Sequence, residues 1–150
     1  MEKAQRLFEI ATSISRDTQD FFAVKGPGKG DHATALFMKL LREDATEIFF
    51  VDHAEQKISG DNGLAVDFYF RDEATIVEIA LTLRNASTEY EKDILKTVLA
   101  IDADNPVKHL VFISKPGAVK RRSEPAPRAM ANWLERVHGV KTHIWELTPI

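Results

Sequence analysis

The sequence has 150 residues, of which 44% are apolar, 29% charged and 9% aromatic, the balance of an ordinary soluble globular protein. Twenty lysines and arginines against 23 acidic residues give a net charge of −3, which argues against indiscriminate nucleic-acid binding through bulk charge. The lack of cysteine excludes thiol catalysis and disulfide scaffolds. We expect one domain over residues 1–150, located in the cytoplasm, with no signal peptide and no membrane span.

The first half of the sequence predicts two helices followed by three strands. Apolar residues recur at helical spacing over residues 2–22 and about 31–43. Residues 47–51, 64–70 and 75–83 are rich in β-branched and aromatic residues, which is typical of strands. Only four residues separate the last two runs, so these strands are predicted to form an antiparallel hairpin.

The second half predicts alternating helices and strands. A helical pattern ends near residue 102, and the apolar run at 109–113 is typical of a strand covered on both faces. A loop over 115–127, a helix to about residue 138 and a strand over 140–147 follow. The order α-α-β-β-β-α-β-α-β predicts an α/β fold, with a mixed central sheet of about five strands and helices on both faces.

The hairpin is predicted to place two carboxylates opposite each other. If its turn comprises residues 71–74, Phe70 pairs with Thr75. The same register sets Asp67 opposite Glu78, and like charges in this position are destabilising. A divalent cation compensates them best, because Mg²⁺ is commonly held by one or two carboxylates and keeps other positions for water and phosphate oxygens. The alternative is that one of the two side chains points to solvent from an uncovered face of the sheet.

The order of the elements around these acids adds a family resemblance. The strand segment Gly63-Leu64-Ala65-Val66-Asp67 is followed by the hairpin, the segment Ile76-Val77-Glu78-Ile79-Ala80, a helix and the apolar strand at 109–113. Over about residues 31–114 this succession resembles the core of the PD-(D/E)XK nuclease superfamily, which has the restriction-endonuclease-like fold. The resemblance implies that Asp67 and Glu78 are metal ligands and that the carbonyl of Ile79 is a third ligand.

The resemblance also implies a function. The implied protein is a Mg²⁺- or Mn²⁺-dependent nuclease, which cleaves or binds the phosphodiester backbone of DNA and forms a homodimer. The dipeptide Lys29-Gly30 before the second helix is similar to one in archaeal Holliday-junction resolvases, although Thr34 stands where those enzymes carry an acid.

The sequence departs from the family at its lysine, which follows the second acid by two positions and is Ala80 here. An ammonium near such a site orients the nucleophile or offsets phosphate charge. Lys92 and Lys96, on the helix after the hairpin, are the candidates for supplying it, and Glu89 is a candidate for a further carboxylate. The alternative is that these lysines form a solvated helix surface. The chain is then a catalytically inactive binding or assembly module, since a fold does not define a function.

A basic segment lies between residues 115 and 128. Its positive charges suit contacts to nucleic-acid phosphates, which position a duplex without reading its sequence. The alternative is that they keep a solvated loop soluble. The candidate DNA-binding residues are Lys115, Lys120, Arg121, Arg122 and Arg128. The five histidines show no zinc-binding spacing, and no serine-hydrolase motif occurs.

Overall fold

The computed structural model describes residues 1–23, 32–81 and 86–150. Five helices, five strands and one short turn of 3-10 helix occur in these ranges. In chain order they are α1 (Glu2–Asp17), α2 (His32–Phe49), β1 (Ala54–Gln56), β2 (Val66–Phe70), the 3-10 turn (Arg71–Glu73), β3 (Thr75–Ile79), α3 (Ala86–Asp102), β4 (His109–Ser114), α4 (Ala118–Arg122), α5 (Pro125–His138) and β5 (Lys141–Glu146).

The strands form one mixed sheet in the order β1-β2-β3-β4-β5. β2 is antiparallel to both β1 and β3, whereas β3, β4 and β5 are parallel. Parallel neighbours need crossover connections. α3 lies in the crossover between β3 and β4, and α4 and α5 lie in the one between β4 and β5. The prediction of an α/β fold with a five-stranded mixed sheet flanked by helices is therefore confirmed.

The sheet is covered on both faces, as the two sides of β4 show. Val111 and Ile113 belong to an apolar cluster with α1 and α2, whereas Leu110 and Phe112 belong to a second cluster with α3 and α5. Alternation along a strand places these two pairs on opposite faces, and all four side chains are fully buried. None of the helices in the described ranges is long and apolar enough to cross a membrane.

β2 and β3 form the predicted hairpin in the predicted register. Phe70 pairs with Thr75, and Phe68 pairs with Val77. The connection is the 3-10 turn, Arg71–Glu73. The pairing between the two strands ends at Phe68 and Val77. The two strands therefore separate at the next position, which is the one that carries the acidic residues.

The predicted strand at 47–51 is wrong. α2 continues to Phe49 because the buried positions Phe37, Leu41 and Ala45 recur every four residues, and Phe49, four residues further, packs against the same apolar cluster. The first strand is instead β1, a three-residue edge strand that follows this helix.

The predicted loop at 115–127 is also wrong, because it contains α4 and the start of α5. The Glu146 carboxylate on β5 accepts the backbone N–H groups of Gly117 and Val119 at 2.9 Å each, which ties the start of α4 to the sheet. α5 begins with Pro125 in its first turn, where the missing N–H has no helical partner to lose.

Candidate metal and nucleic-acid site

A cavity of about 370 Å³ lies where the hairpin strands separate. β2 begins there, β3 ends there, and α3 contributes one wall. Four carboxylates and two lysines are among the side chains that line it. They are Asp67, Glu78, Glu89, Asp93, Lys92 and Lys96. All of these except Asp93 are candidates from the sequence.

Asp67 lies next to the last paired rung of the hairpin. Its Oδ2 accepts the backbone N–H of Ile79 at 2.7 Å, so a carboxylate takes the place of the carbonyl that a continued ladder supplies. The N–H and carbonyl of one strand residue point to the same side of the strand. The Ile79 carbonyl therefore faces the β2 side of β3, the side on which Asp67 lies.

Glu78 is buried, with 4% of its surface exposed, so the alternative of a side chain on an uncovered face is wrong for this residue. Burial raises the pKa of Glu78 well above its ordinary value, and the nearby carboxylates of Asp93 and Asp67 raise it further. Lys96 acts in the opposite direction. Burial and both acidic neighbours therefore favour the neutral form of Glu78, and a positive charge beside it favours the ionised form.

Lys96 brings an ammonium to Glu78. Its Nζ lies 3.2 Å from Glu78 Oε1 and 3.4 Å from Asp93 Oδ1. The same ammonium donates to the carbonyl of Ala65 at 2.9 Å. Burial lowers the pKa of Lys96, but Glu78 and Asp93 outweigh burial and raise it above its ordinary value. Lys92 also lines the cavity, but it is an exposed residue.

Asp93 is the residue that sequence reasoning missed. Burial raises its pKa to about 6, although the charge of Lys96 lowers it. A signal was available in the spacing, because Asp93 lies four residues after Glu89 and three before Lys96 on one helix. Residues three and four apart share a helix face, so the candidates Glu89 and Lys96 together indicate Asp93.

The donor set at the cavity fits Mg²⁺. In the described part of the chain, no group of three or more His, Asp or Glu side chains is close enough to hold a metal ion. Two carboxylates and a carbonyl are nevertheless a usual protein contribution to Mg²⁺, which retains waters. Glu78 Oε1 is buried. In the structure the positive charge that this oxygen faces is the Lys96 ammonium, 3.2 Å away.

The candidate DNA-binding residues are divided by the structure. Lys120, Arg121 and Arg128 are exposed. Arg122 is 5% exposed, and its guanidinium packs 4.3 Å from the ring of Tyr90 and 4.8 Å from that of Phe112.

Lys115 is half-buried, and its ammonium lies 4.6 Å from the ring of Phe21. Through its contacts with Tyr90 and Phe112, Arg122 anchors α4 to α3 and the sheet. It therefore does not belong with the exposed cations Lys120, Arg121 and Arg128.

The basic segment starts at the same end of the sheet as the cavity. β3 and β4 are parallel, and Ile79 pairs with Ile113, so the chain leaves β4 beside the point where β3 ends. Arg122, on α4, is near enough for Asp93 and Glu89 to raise its pKa, although burial lowers it overall. The topology therefore places α4 next to the acidic cavity.

Some candidate residues lie outside the described ranges. Lys29 and Gly30 are among them, as is the end of the hairpin strand predicted to reach residue 83. Thr34, which stands at the position of the resolvase acid, is described and lines the cavity.

No protein-family model matches the chain, and neither a curated protein nor a solved structure was found to match it. The resemblance to the PD-(D/E)XK nucleases therefore stays a prediction from the sequence.

Proposed function

We propose that this chain is a Mg²⁺-dependent nuclease domain with the restriction-endonuclease-like fold, acting on the phosphodiester backbone of DNA. The single observation that carries the proposal is the contact of Lys96 with Glu78 at 3.2 Å. The position that holds lysine in the family is Ala80 here, and α3 provides an ammonium beside the same acid. This ammonium lies where a nuclease of the family needs one, close enough to the acid to offset phosphate charge beside it.

Each residue of the cavity has a distinct role in the proposal. Asp67, Glu78 and the carbonyl of Ile79 are the groups that hold Mg²⁺ or Mn²⁺. When bound, such an ion lowers the pKa of water and stabilises negative charge on phosphate oxygens. Lys96 holds its ammonium beside Glu78, where it offsets phosphate charge and orients the attacking water. Asp93 shares that ammonium with Glu78.

The exposed cations Lys120, Arg121 and Arg128 provide the electrostatic grip on DNA. They lie on α4 and at the start of α5, in the crossover that begins at the cavity end of the sheet. Phosphate contacts of this kind supply affinity for a backbone whatever its sequence. The family resemblance adds a homodimer, whose second copy doubles the surface available to a duplex.

The second candidate function is a catalytically inactive binding or assembly module of the same fold. One observation favours it, namely that Lys96 already contacts both Glu78 and Asp93. The ammonium then serves as the permanent counter-ion of the two acids, and no metal is required.

Cleavage of DNA by matched variants separates the two functions. We expect Mg²⁺-dependent nicking of a plasmid by the native chain, loss of nicking in Asp67→Asn and Lys96→Met, and full nicking in Lys92→Met. Lys92→Met is the matched control, because it removes an equal charge from the same helix at an exposed position. DNA binding without nicking under any divalent cation supports the inactive module, and equal loss in both lysine variants contradicts the role of Lys96.

The DNA-binding surface is tested by salt dependence. We expect the triple variant Lys120→Ala, Arg121→Ala, Arg128→Ala to bind unrelated DNA sequences equally weakly. Its slope of log K against log salt becomes shallower by up to about 2.7, for three lost phosphate contacts. The charge-matched control replaces Lys3, Lys108 and Lys141, which lie at the other end of the sheet. An unchanged slope in the first variant removes these residues from the interface.

A further inference from the structure

A second cluster of metal-ligating side chains lies at the opposite end of the sheet. His109 is the first residue of β4, and His143 is the third residue of β5. His109 pairs with Lys141 in the register of these parallel strands. His143 therefore lies two residues further along on the same face. The acidic cavity is at the other end of these strands, so the two clusters are separate.

The two imidazoles meet through one nitrogen each. His109 Nδ1 lies 3.0 Å from His143 Nε2, and the ring centroids are 5.1 Å apart. Both residues are half-buried and keep access to solvent. At this distance one ring donates an N–H to the other, which presents a lone pair. If the donating ring moves its proton to its other nitrogen, each of the two facing nitrogens has a lone pair.

Burial and nearby positive charges favour the neutral form of both rings. Burial lowers the pKa of His109, and nearby positive charges that include Lys141 and Lys108 lower it further. Burial also lowers the pKa of His143, followed by the effects of His109 and Lys141. A neutral imidazole is also the form that ligates a transition metal.

We propose that His109 and His143 together bind one late first-row divalent ion, Cu²⁺, Ni²⁺ or Zn²⁺, through Nδ1 and Nε2 respectively. Metal–nitrogen bonds of about 2.0–2.1 Å place two nitrogens about 3 Å apart when the angle at the ion is near 90°. The observed separation of 3.0 Å matches this arrangement. Water completes the coordination, since the site is partly open.

The chemistry of the ligands separates this site from the acidic cavity. Imidazole nitrogen suits Cu²⁺, Ni²⁺ and Zn²⁺, whereas carboxylate and carbonyl oxygens suit Mg²⁺ and Mn²⁺. Excess Mg²⁺ therefore occupies the oxygen ligands of the cavity and leaves the histidine pair accessible. The proposal does not depend on the proposed nuclease function, because the two sites share no residue.

Trp145 provides an optical probe of the site. Its ring lies on the same face of β5 as His143, with ring centroids 6.3 Å apart. Cu²⁺ quenches indole fluorescence at such short range, whereas Zn²⁺ does not. Trp133 lies on α5, so Trp133→Phe leaves Trp145 as the sole source of signal in a chain with two tryptophans.

Titration of the Trp133→Phe chain with Cu²⁺ in excess Mg²⁺ tests the proposal. We expect saturable quenching with one ion per chain, reversal by Zn²⁺, and at least about tenfold weaker binding in His143→Gln and in His109→Gln, since each variant removes one of two ligands. Binding should also weaken at pH 5.5, because protons compete for the imidazoles. Quenching that is unsaturable, or unchanged in both variants, overturns the proposal.

A measurement on the native chain guards against a variant that fails to fold. Zn²⁺ should shift the ring-nitrogen NMR signals of His109 and His143 and leave those of the other three histidines in place. Shifts confined to the other histidines also overturn the proposal.

Discussion

The two ends of the sheet respond to burial in opposite ways. Where β3 ends, burial raises the pKa values of Glu78 and Asp93. Where β4 begins, burial lowers the pKa values of His109 and His143. In each case desolvation favours the neutral form. Among the described residues, Lys96 is a buried group of opposite charge that works against this preference at the acidic end, whereas Glu73 and Glu135, which do so at the histidine end, are not buried.

The two ends therefore give the stability of the chain opposite dependences on pH. A raised carboxyl pKa means that the folded chain binds more protons than the unfolded chain, so stability falls as the pH rises through that range. A lowered imidazole pKa means that the folded chain binds fewer protons, so stability falls as the pH decreases. Single substitutions at either end can therefore separate the two contributions.

Removal of Lys96 is expected to have the largest effect. Lys96→Met leaves Glu78 and Asp93 buried without their cation, which costs about 3–5 kcal/mol of unfolding free energy when measured by urea denaturation at pH 8. The loss should shrink at pH 5, where both carboxyls take up protons. Lys92→Met is the matched control and should stay within about 0.5 kcal/mol of the native chain. Equal losses in the two variants contradict the buried ion cluster.

Neutralising Asp93 is expected to stabilise the chain. Its pKa moves from 3.8 to about 6 on folding, so ionisation of Asp93 reduces stability as the pH rises between these values. Asn resembles the protonated form. Asp93→Asn should therefore exceed the native chain by on the order of 2 kcal/mol at pH 7 and match it near pH 3.5. A variant that is less stable than the native chain at pH 7 shows that Asp93 is needed to hold Lys96.

Two substitutions of Asp67 isolate its hydrogen bond to the amide of Ile79. Asn keeps a carbonyl acceptor for that N–H, whereas Ala leaves the Ile79 N–H without this acceptor at the point where the pairing of β2 and β3 ends. We expect Asp67→Ala to be less stable than Asp67→Asn by about 1 kcal/mol in thermal unfolding without metal. Addition of Mg²⁺ should raise the melting temperature of the native chain and of neither variant. Stabilisation of all three chains places any metal elsewhere.

The smallest effect is expected at the histidine end, because both imidazoles are only half-buried. Without metal and with a chelator present, the native chain should lose stability as the pH falls below 6.5, the ordinary histidine value. His143→Gln removes one imidazole and should flatten this decline. Melting temperatures between pH 5 and 8 give the comparison. A decline of the same steepness in the variant assigns the pH dependence to other groups.

The hairpin shows how much of the site the sequence predicts. A four-residue turn and side-chain alternation are local properties, so they predict both the pairing of Phe70 with Thr75 and the approach of Asp67 to Glu78. The contact of Lys96 with Glu78 could not be predicted in the same way. Lys92 and Lys96 lie four residues apart on one helix face. Which of the two reaches Glu78 depends on the position of α3 along the sheet. That position is determined by the packing of the core.

The errors in the fold have physical causes of the same kind. Residues 47–51 contain β-branched and aromatic residues, but the four-residue recurrence of buried positions through Ala45 to Phe49 carries the helix into them. Tertiary burial overrides β-propensity here. In the basic segment, the helix α4 depends on contacts with distant residues. The carboxylate of Glu146 holds its first turn, and Tyr90 and Phe112 receive Arg122.

The hydrogen bond from the Ile79 amide to Asp67 makes one backbone proton an indicator of the cavity. A charged acceptor at 2.7 Å moves the resonance of the amide proton that it binds, and any change in the charge of Asp67 moves that resonance back. Cation uptake and the approach of a phosphate both change the electric field at this proton. In an amide NMR spectrum, the single peak of Ile79 therefore reports on the cavity without an attached probe or a mutation.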